Sequence, residues 1–321
     1  MTPTLLAIVG PTATGKSALA IALARRLQPR GEIVNCDSTA VYQRFDIGTD
    51  KVPVDEQQGV PHHLIDIIPP TERYSAARYA EAAAVIIREI TARGRLPILV
   101  GGTGLYYRAL TRGIFPGPAR DDVLRERLHA LAARRGPEVL HRMVTRLDPA
   151  SATRILPRDE KRLVRALEVT LLTGKPLSVH FADTRSPLAD YKIITLALRL
   201  PAAAIADRVA RRVDAQFARG LLDEVQAILA SGIPPEAHPF SGLVYRQVLE
   251  YLRGDRDLQA TRDLIVQENR RYARRQLIWF RKEPNLEWLD GPGESSATLR
   301  AAEAALCKIG FPGIFTDGPN T

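Results

Sequence analysis

Residues 10–17 read Gly-Pro-Thr-Ala-Thr-Gly-Lys-Ser, a glycine loop closing on Lys-Ser, and they follow the apolar run Leu5-Leu6-Ala7-Ile8-Val9. The Ala- and Leu-rich stretch Ser17 to Leu27 then reads as a helix. Strand, glycine loop and helix in that order build a phosphate cradle. Its glycines let successive N–H groups turn toward an anion, the helix N-terminus adds partial positive charge, and Lys16 adds a full one. Gly10, Pro11, Thr12, Ala13, Thr14, Gly15, Lys16 and Ser17 are therefore the candidate phosphate- or diphosphate-binding residues, with the Ser17 hydroxyl placed as a ligand for Mg²⁺. Two more polar clusters stand where apolar runs end: Asp37-Ser38 after Glu32–Cys36, and Gly102-Thr103 after Leu96–Val100. Asp37 is the carboxylate best placed to act as a base, although its position also suits an Asx-turn or a helix cap. Thr103 is either an ordinary cap or a contact to a ligand.

A nucleotidase built on such a loop places an acid at the end of a second apolar strand to organise Mg²⁺. Here that strand, Pro97-Ile98-Leu99-Val100, runs into Gly-Gly-Thr-Gly. The missing acid speaks against plain ATP hydrolysis and leaves a kinase open, with Asp37 in the acid's place. Basic residues cluster at Arg208, Arg211, Arg212 and Arg219, where helical spacing brings side chains to one face and Asp207, Asp214 and Asp223 stand near enough to pair. A second set is Arg158, Lys161, Arg162 and Arg165, and the densest is Arg270-Arg271-Tyr272-Ala273-Arg274-Arg275 ahead of Trp279, Phe280, Arg281 and Lys282. Interleaved aromatic and guanidinium groups suit phosphate contact with base stacking. His62-His63 has no Cys or carboxylate pattern around it, which favours a structural or pocket-lining role over a metal site.

The elements that must position these groups alternate between strand and helix. The helical rhythm Tyr79, Ala83, Ile86, Ile87, Ile90 spans Ala76 to Arg93, and strands are expected at Glu32–Cys36, Leu96–Val100 and Lys192–Leu200. That alternation predicts a parallel sheet with crossover helices, whose ligands gather at the carboxyl ends of the strands. From Pro116 to Thr184 no strand interrupts the periods Val123-Leu124-Leu128-Leu131 and Leu163-Leu167-Leu171, so an all-helical insertion is expected over 116–185 between core segments 1–115 and 186–321. Helices are predicted near Ala202–Arg219, Leu222–Ala230, Gly242–Leu252 and Ala260–Phe280, with a Gly- and Pro-rich tail after Asp290 that is part helix and part disordered.

The chain has 321 residues, 45% of them hydrophobic, enough for a sizeable core. A net charge of +9 fits a polyanionic partner and also aids solubility. No apolar run approaches the roughly 20 residues of a membrane span. The first strand begins within a few residues of Met1, so the expected location is the cytoplasm. Cys36 and Cys307 read as two unrelated reduced thiols.

Taken together, an ordered set of segments resembles the tRNA dimethylallyltransferases (tRNA isopentenyltransferases) of bacterial type. They are the glycine loop, Asp37-Ser38 with Val41-Tyr42, Asp46-Ile47-Gly48-Thr49, Pro61-His62-His63-Leu64-Ile65-Asp66, Val100-Gly101-Gly102-Thr103-Gly104-Leu105-Tyr106, Arg165-Ala166-Leu167-Glu168-Val169 and Thr173-Gly174-Lys175-Pro176-Leu177-Ser178. Gly242-Leu243-Val244-Tyr245-Arg246 and Arg274 to Arg281 complete it, so the likeness runs from about residue 5 to about 290. Departures are Ala40 for Gln, Arg44 for Gly and Asp50 for Ala.

The resemblance implies a phosphate-loop NTPase-like parallel-sheet core flanked by helices. It implies transfer of the dimethylallyl group from dimethylallyl diphosphate to N6 of the adenosine beside the anticodon of tRNA, with diphosphate released. On it, the glycine loop holds the donor diphosphate and not ATP, with Mg²⁺ on Ser17; Asp37, Thr103 and Arg212 are catalytic. Asp37, Ser38, Thr39, Ala40, Thr103, Arg125, Asp159, Glu160, Lys161, Arg162 and Leu163 contact the tRNA anticodon stem-loop. The expected protein is a monomer with no obligate protein partner and no membrane. The rival classes are a kinase of a small metabolite sharing the same cradle, and a nucleic-acid-binding NTPase switch.

Overall fold

The computed structural model describes residues 2–182 and 184–311, and the backbone of the short strand at 314–315. In chain order the elements of the first half are β1 (Thr4–Val9), α1 (Lys16–Arg26), β2 (Leu27–Gln28), β3 (Gly31–Asn35), β4 (His62–His63), α2 (Ala76–Ala92), β5 (Leu96–Gly101) and α3 (Gly104–Arg112). Five helices come next without a strand: α4 (Asp122–Arg135), α5 (Glu138–Leu147), α6 (Pro149–Ala152), α7 (Glu160–Thr173) and α8 (Leu177–Ala182). The chain then makes β6 (Lys192–Arg199), α9 (Ala202–Ala218), α10 (Leu221–Ala230), α11 (Leu243–Leu252), α12 (Leu258–Phe280), β7 (Leu286–Asp290), α13 (Ser296–Lys308) and β8 (Ile314–Phe315).

The main sheet is six-stranded in the order β4-β3-β5-β1-β6-β7, and every pairing in it is parallel. β1 reads as a continuous apolar run because both of its faces are covered. Leu5, Ala7 and Val9 belong to a core shared with α2, α3, α10 and α11; Leu6 and Ile8 belong to a second core with α1 and α13. β1 lies between β5 and β6: the chain leaves it toward β3 on one side, and later crosses past it from β5 to β6 on the other. This is the switch point at which open parallel sheets open a crevice for ligands. The glycine loop after β1, the turn after β3 and the turn after β5 all arrive there.

Helices α4 to α8 enclose a separate cluster that includes Leu128, Leu140, Val144, Leu163 and Leu167. At its edge Glu168, with no exposed surface, accepts from Arg125 Nε (2.7 Å), Arg125 Nη2 (2.8 Å), Arg165 Nη1 (2.6 Å) and the Asp121 backbone N–H (3.0 Å). Burial alone would raise this carboxyl; the Arg125 and Arg165 bonds outweigh it and hold it down at about 2.

The expected strands and long helices fall where their periodicity puts them, within a few residues. Three elements carry no clear pattern in the sequence. β4 is two residues long and polar, β7 alternates only weakly, and α3 is hidden by its glycine-rich start despite a buried face of Tyr106, Tyr107, Ala109 and Leu110. β7 is an edge strand registered on β6 (Arg199 opposite Asp290), and those two side chains form a bidentate pair at 2.7 and 2.9 Å. α13 supplies the helix expected in the tail; residues beyond 311, apart from β8, lie outside the described residues.

Candidate active site

The glycine loop turns through backbone that L side chains rarely adopt: Gly10 at φ +140, Ala13 at +62 and Gly15 at +85. A Cβ at Gly15 would stand 2.7 Å from the Gly293 backbone nitrogen, so no larger residue fits. Gly15 is also the N-cap of α1, with no side-chain cap, which leaves the first-turn N–H groups facing the loop's concavity. Lys16 folds back so that Nζ donates to the Pro11 carbonyl at 2.7 Å. Burial, then the Arg212 charge, pull the Lys16 ammonium down to about 8 against the opposing pull of Asp37. An arriving anion favours the ammonium and would raise its titration point.

Asp37 follows β3 and lies partly buried on the floor of the cleft. Its Oδ1 accepts from the Thr39 N–H (2.8 Å) and Thr39 Oγ1 (2.6 Å), while Asn35 grips its backbone from both sides: the Asp37 N–H donates to Asn35 Oδ1 and Asn35 Nδ2 donates to the Asp37 carbonyl, each at 3.0 Å. The Asx-turn and the functional reading therefore coexist. One oxygen makes the turn, and Oδ2 has no hydrogen-bond partner among the described residues. Thr103 occupies the N-cap position of α3 but does not cap it; its Oγ1 accepts from the Ser38 N–H at 3.1 Å. Thr103 thus ties the β5 turn to the Asp37 turn.

Gln276 on α12 carries the third tie, and no sequence motif singles it out. Buried to 6% exposure, it accepts from the Thr12 N–H (2.8 Å) and donates from Nε2 to the Gly102 carbonyl (2.9 Å). One turn earlier on the same face is Tyr272, whose hydroxyl burial and the Asp37 charge push up to about 12, so it stays protonated. A polar pair at i, i+4 on the buried side of an amphipathic helix is the signal that could have found both. The neighbouring Arg271, Arg274 and Arg275 point outward and are exposed, as the helical spread of that run requires.

The arginines of α9 reach the loop from above. Arg208 Nε donates to the Ala13 carbonyl at 2.6 Å and Arg212 Nη1 to Thr12 Oγ1 at 2.6 Å. Their acidic partners are not the nearby aspartates expected from the sequence. Arg212 Nε and Arg219 Nη2 pair with Asp50 at 3.0 and 2.5 Å, Arg208 pairs with Glu294 at 2.5 Å, and Asp214 faces Arg262 at 3.7 Å. Helical neighbours were too far round the axis; loops from distant sequence supply the counter-charges.

A single cleft of about 870 Å³ joins these parts. Thr12, Ala13, Gly15, Lys16 and Ser17 line one end, and Asp37, Ser38, Thr39, Ala40, Arg212, Tyr272 and Gln276 the rest. Gly10, Pro11 and Thr14 lie behind the lining, where Thr14 Oγ1 donates to the Pro11 carbonyl at 2.8 Å. Thr103 bears on the cleft through its bond to Ser38. Arg125, Asp159, Glu160, Lys161, Arg162 and Leu163 belong to the insertion and do not line the cleft. Of these, Arg125 is committed to Glu168, Asp159 caps α7 through the Arg162 N–H at 3.3 Å, and the Leu163 side chain is fully buried. Only Lys161 and Arg162 offer well-exposed side chains from this set.

Ser17 is exposed at the start of α1 and has no hydrogen-bond partner among the described residues. No group of three His, Cys, Asp or Glu among the described residues could hold a metal alone. The donor that a Mg²⁺ ion would meet at the cradle is the Ser17 hydroxyl, the group that takes this ion in glycine loops ending in Lys-Ser. His63 Nε2 pairs with Glu32 at 2.7 Å and His62 Nδ1 meets the Val60 carbonyl at 2.8 Å, a structural arrangement. No helix among the described residues is long and apolar enough to cross a membrane.

Known proteins resemble this chain over nearly its whole length. A curated relative from Solibacter usitatus (strain Ellin6076), named tRNA dimethylallyltransferase, is 48% identical over 305 residues, spanning 95% of this chain and 98% of the relative. The crystal structure of the full-length tRNA isopentenylpyrophosphate transferase from Bacillus halodurans superposes with a TM-score of 0.70 at 37% identity, covering 95% of this chain and 96% of that one. A eukaryotic dimethylallyltransferase, captured in crystallographic snapshots acting on tRNA, superposes at 0.78 with 27% identity over 95% of this chain and 78% of its own. The family model described as IPP transferase matches residues 40–283, from just after Asp37 to just beyond α12. With most of its length matched by that model and by a relative of nearly equal extent, the chain belongs to the IPP transferase family.

Proposed function

We propose that this chain is a tRNA dimethylallyltransferase that moves the dimethylallyl group of dimethylallyl diphosphate onto N6 of the adenosine beside the anticodon. The observation that carries the reading is the sharing of one cleft by an anion cradle and a carboxylate oxygen that has no hydrogen-bond partner among the described residues. The allylic C–O bond breaks, a C–N bond forms, and one N6 proton leaves. The adenine amine is a weak nucleophile because its lone pair is delocalised into the ring. Asp37 Oδ2 accepts a hydrogen bond from that amine and then its proton. The loop amides, Lys16 and Arg212 stabilise the charge that builds on the departing diphosphate. Mg²⁺ held by the Ser17 hydroxyl and the diphosphate oxygens would add positive charge at the same place. Thr103 and Gln276 keep the two ends of the cleft in register. The target base must leave its stack to reach Asp37, and exposed basic groups on α12 and the insertion suit the RNA backbone.

The rival kinase would have to use Asp37 as its acid, since the chain where β5 ends is Gly101-Gly102 and a Cβ at Gly101 would collide with the Cys36 carbonyl. The test uses purified protein, an anticodon stem-loop RNA and labelled dimethylallyl diphosphate, with and without ATP. RNA labelling without ATP is the expected result; ATP-dependent phosphorylation of a small acceptor contradicts the reading.

The cradle also carries a pH signature. The diphosphate favours the charged form of Lys16, whose titration point without ligand is about 8. Once the ionisation of diphosphate itself is allowed for, affinity should fall above that pH, by up to about tenfold per pH unit. Calorimetric titration with inorganic diphosphate at several pH values checks this. Lys16→Ala binds more weakly throughout and loses the break; a wild-type affinity that stays flat above that pH contradicts the assignment.

A further inference from the structure

Resting on the diphosphate reading of the cleft, one feature of its charges goes further. Arg208, Arg212 and Arg219 are all occupied by carboxylates of this same chain. Asp50 is central: it lines the cleft, its side chain is 31% exposed, and it bridges Arg212 Nε at 3.0 Å and Arg219 Nη2 at 2.5 Å. Arg212 meanwhile places Nη1 on Thr12 of the cradle. The group that would neutralise a diphosphate is therefore already neutralised by a resident anion.

We propose that Asp50 is a specificity-determining residue: a built-in counter-ion that the donor diphosphate must displace from Arg212 and Arg219. Charge alone has two consequences here. A carboxylate in the cleft repels phosphoryl oxygens, so donor and released diphosphate are both held less tightly than the arginines would otherwise allow. An anion must also carry enough charge to compete with a bidentate carboxylate, which favours diphosphate over a monophosphate. After transfer, Asp50 reclaims the arginines and assists release of the product.

Asp50 sits at φ +60, a left-handed conformation that Asn also tolerates, so Asp50→Asn removes charge without adding strain. Titration of the full chain with inorganic diphosphate and Mg²⁺ at low salt should show Asp50→Asn binding about tenfold tighter than wild type. The gain should shrink at high salt, and product inhibition of the transferase by diphosphate should strengthen. Damage to the site would act in the opposite direction and weaken binding. Circular dichroism checks that the variant is folded, and Asp50→Ser should shift affinity the same way. Unchanged or weaker diphosphate binding by folded Asp50→Asn overturns the counter-ion role. Lys16→Ala separates the two levels: if wild type does not bind diphosphate, or Lys16→Ala binds it equally well, the cradle reading falls and this inference with it.

Discussion

Asp37→Ala should slow single-turnover transfer by about 10²-fold or more while leaving diphosphate affinity near that of wild type, as expected for a lost general base. The split reflects the geometry. Asp37 Oδ2 contributes nothing to the cradle, and Oδ1 holds only the Thr39 turn. Asp37→Asn is the sharper variant, because the amide oxygen can still accept from Thr39 but the side chain cannot take a proton. It should keep the turn and lose the rate. Rapid-quench measurement with saturating donor and stem-loop isolates the chemical step; a rate within a few-fold of wild type would remove Asp37 from the proton path. Removal of Asp37 also strips away a negative charge that favours the Lys16 ammonium. The break in diphosphate affinity should therefore move to lower pH in both variants, a linked change that a purely local loss of structure does not produce.

Glu168→Ala should destabilise the helical insertion by about 3 kcal/mol, because removing one partner strands charges that fold against it. Arg125 and Arg165 side chains are only 23% and 31% exposed, so water recovers part of the lost interaction and no more. The pH dependence has a definite sign. The native carboxyl is held at about 2, below its ordinary value of 4.5, so its contribution is complete above the ordinary carboxylate range and disappears as pH falls toward about 2. Urea unfolding at neutral pH, with hydrogen exchange read over residues 122–173, measures the loss; equal stability of variant and wild type contradicts it. Diphosphate binding should survive this substitution, since the insertion's core is separate from the cradle. On the same geometry, Arg125→Ala should also loosen the insertion, because it strands the buried Glu168 carboxylate.

Legibility in the sequence divides along a physical line. The glycine loop, the Asp37 and Thr103 turns and the parallel sheet are legible because each depends on local spacing: loop chemistry at the end of an apolar run, repeated along the chain. The ordered segments then point to the family. Partners far apart in sequence are not legible. Gln276 joins Thr12 to Gly102 across separations of 264 and 174 residues, and no local pattern encodes such a bridge. The pairing of Arg212 with Asp50 is hidden for the same reason, since its partner comes from a loop far away in the sequence. Arg125 is a related case: the family likeness marks it as an RNA contact, while its pairing with the buried Glu168 of another helix is not visible in the sequence. β4 and β7 escape because a short or edge strand needs little apolar pattern once a neighbouring strand supplies the register.

The most direct measurement is a crystal structure of the enzyme with an anticodon stem-loop and an unreactive thiolo analogue of dimethylallyl diphosphate. The expected complex has the diphosphate against the loop amides, Lys16 and Arg212, with an extruded adenine whose N6 lies within hydrogen-bond reach of Asp37 Oδ2 and faces the allylic carbon. A diphosphate bound away from residues 10–17, or an N6 pointing away from Asp37 in that complex, would contradict it.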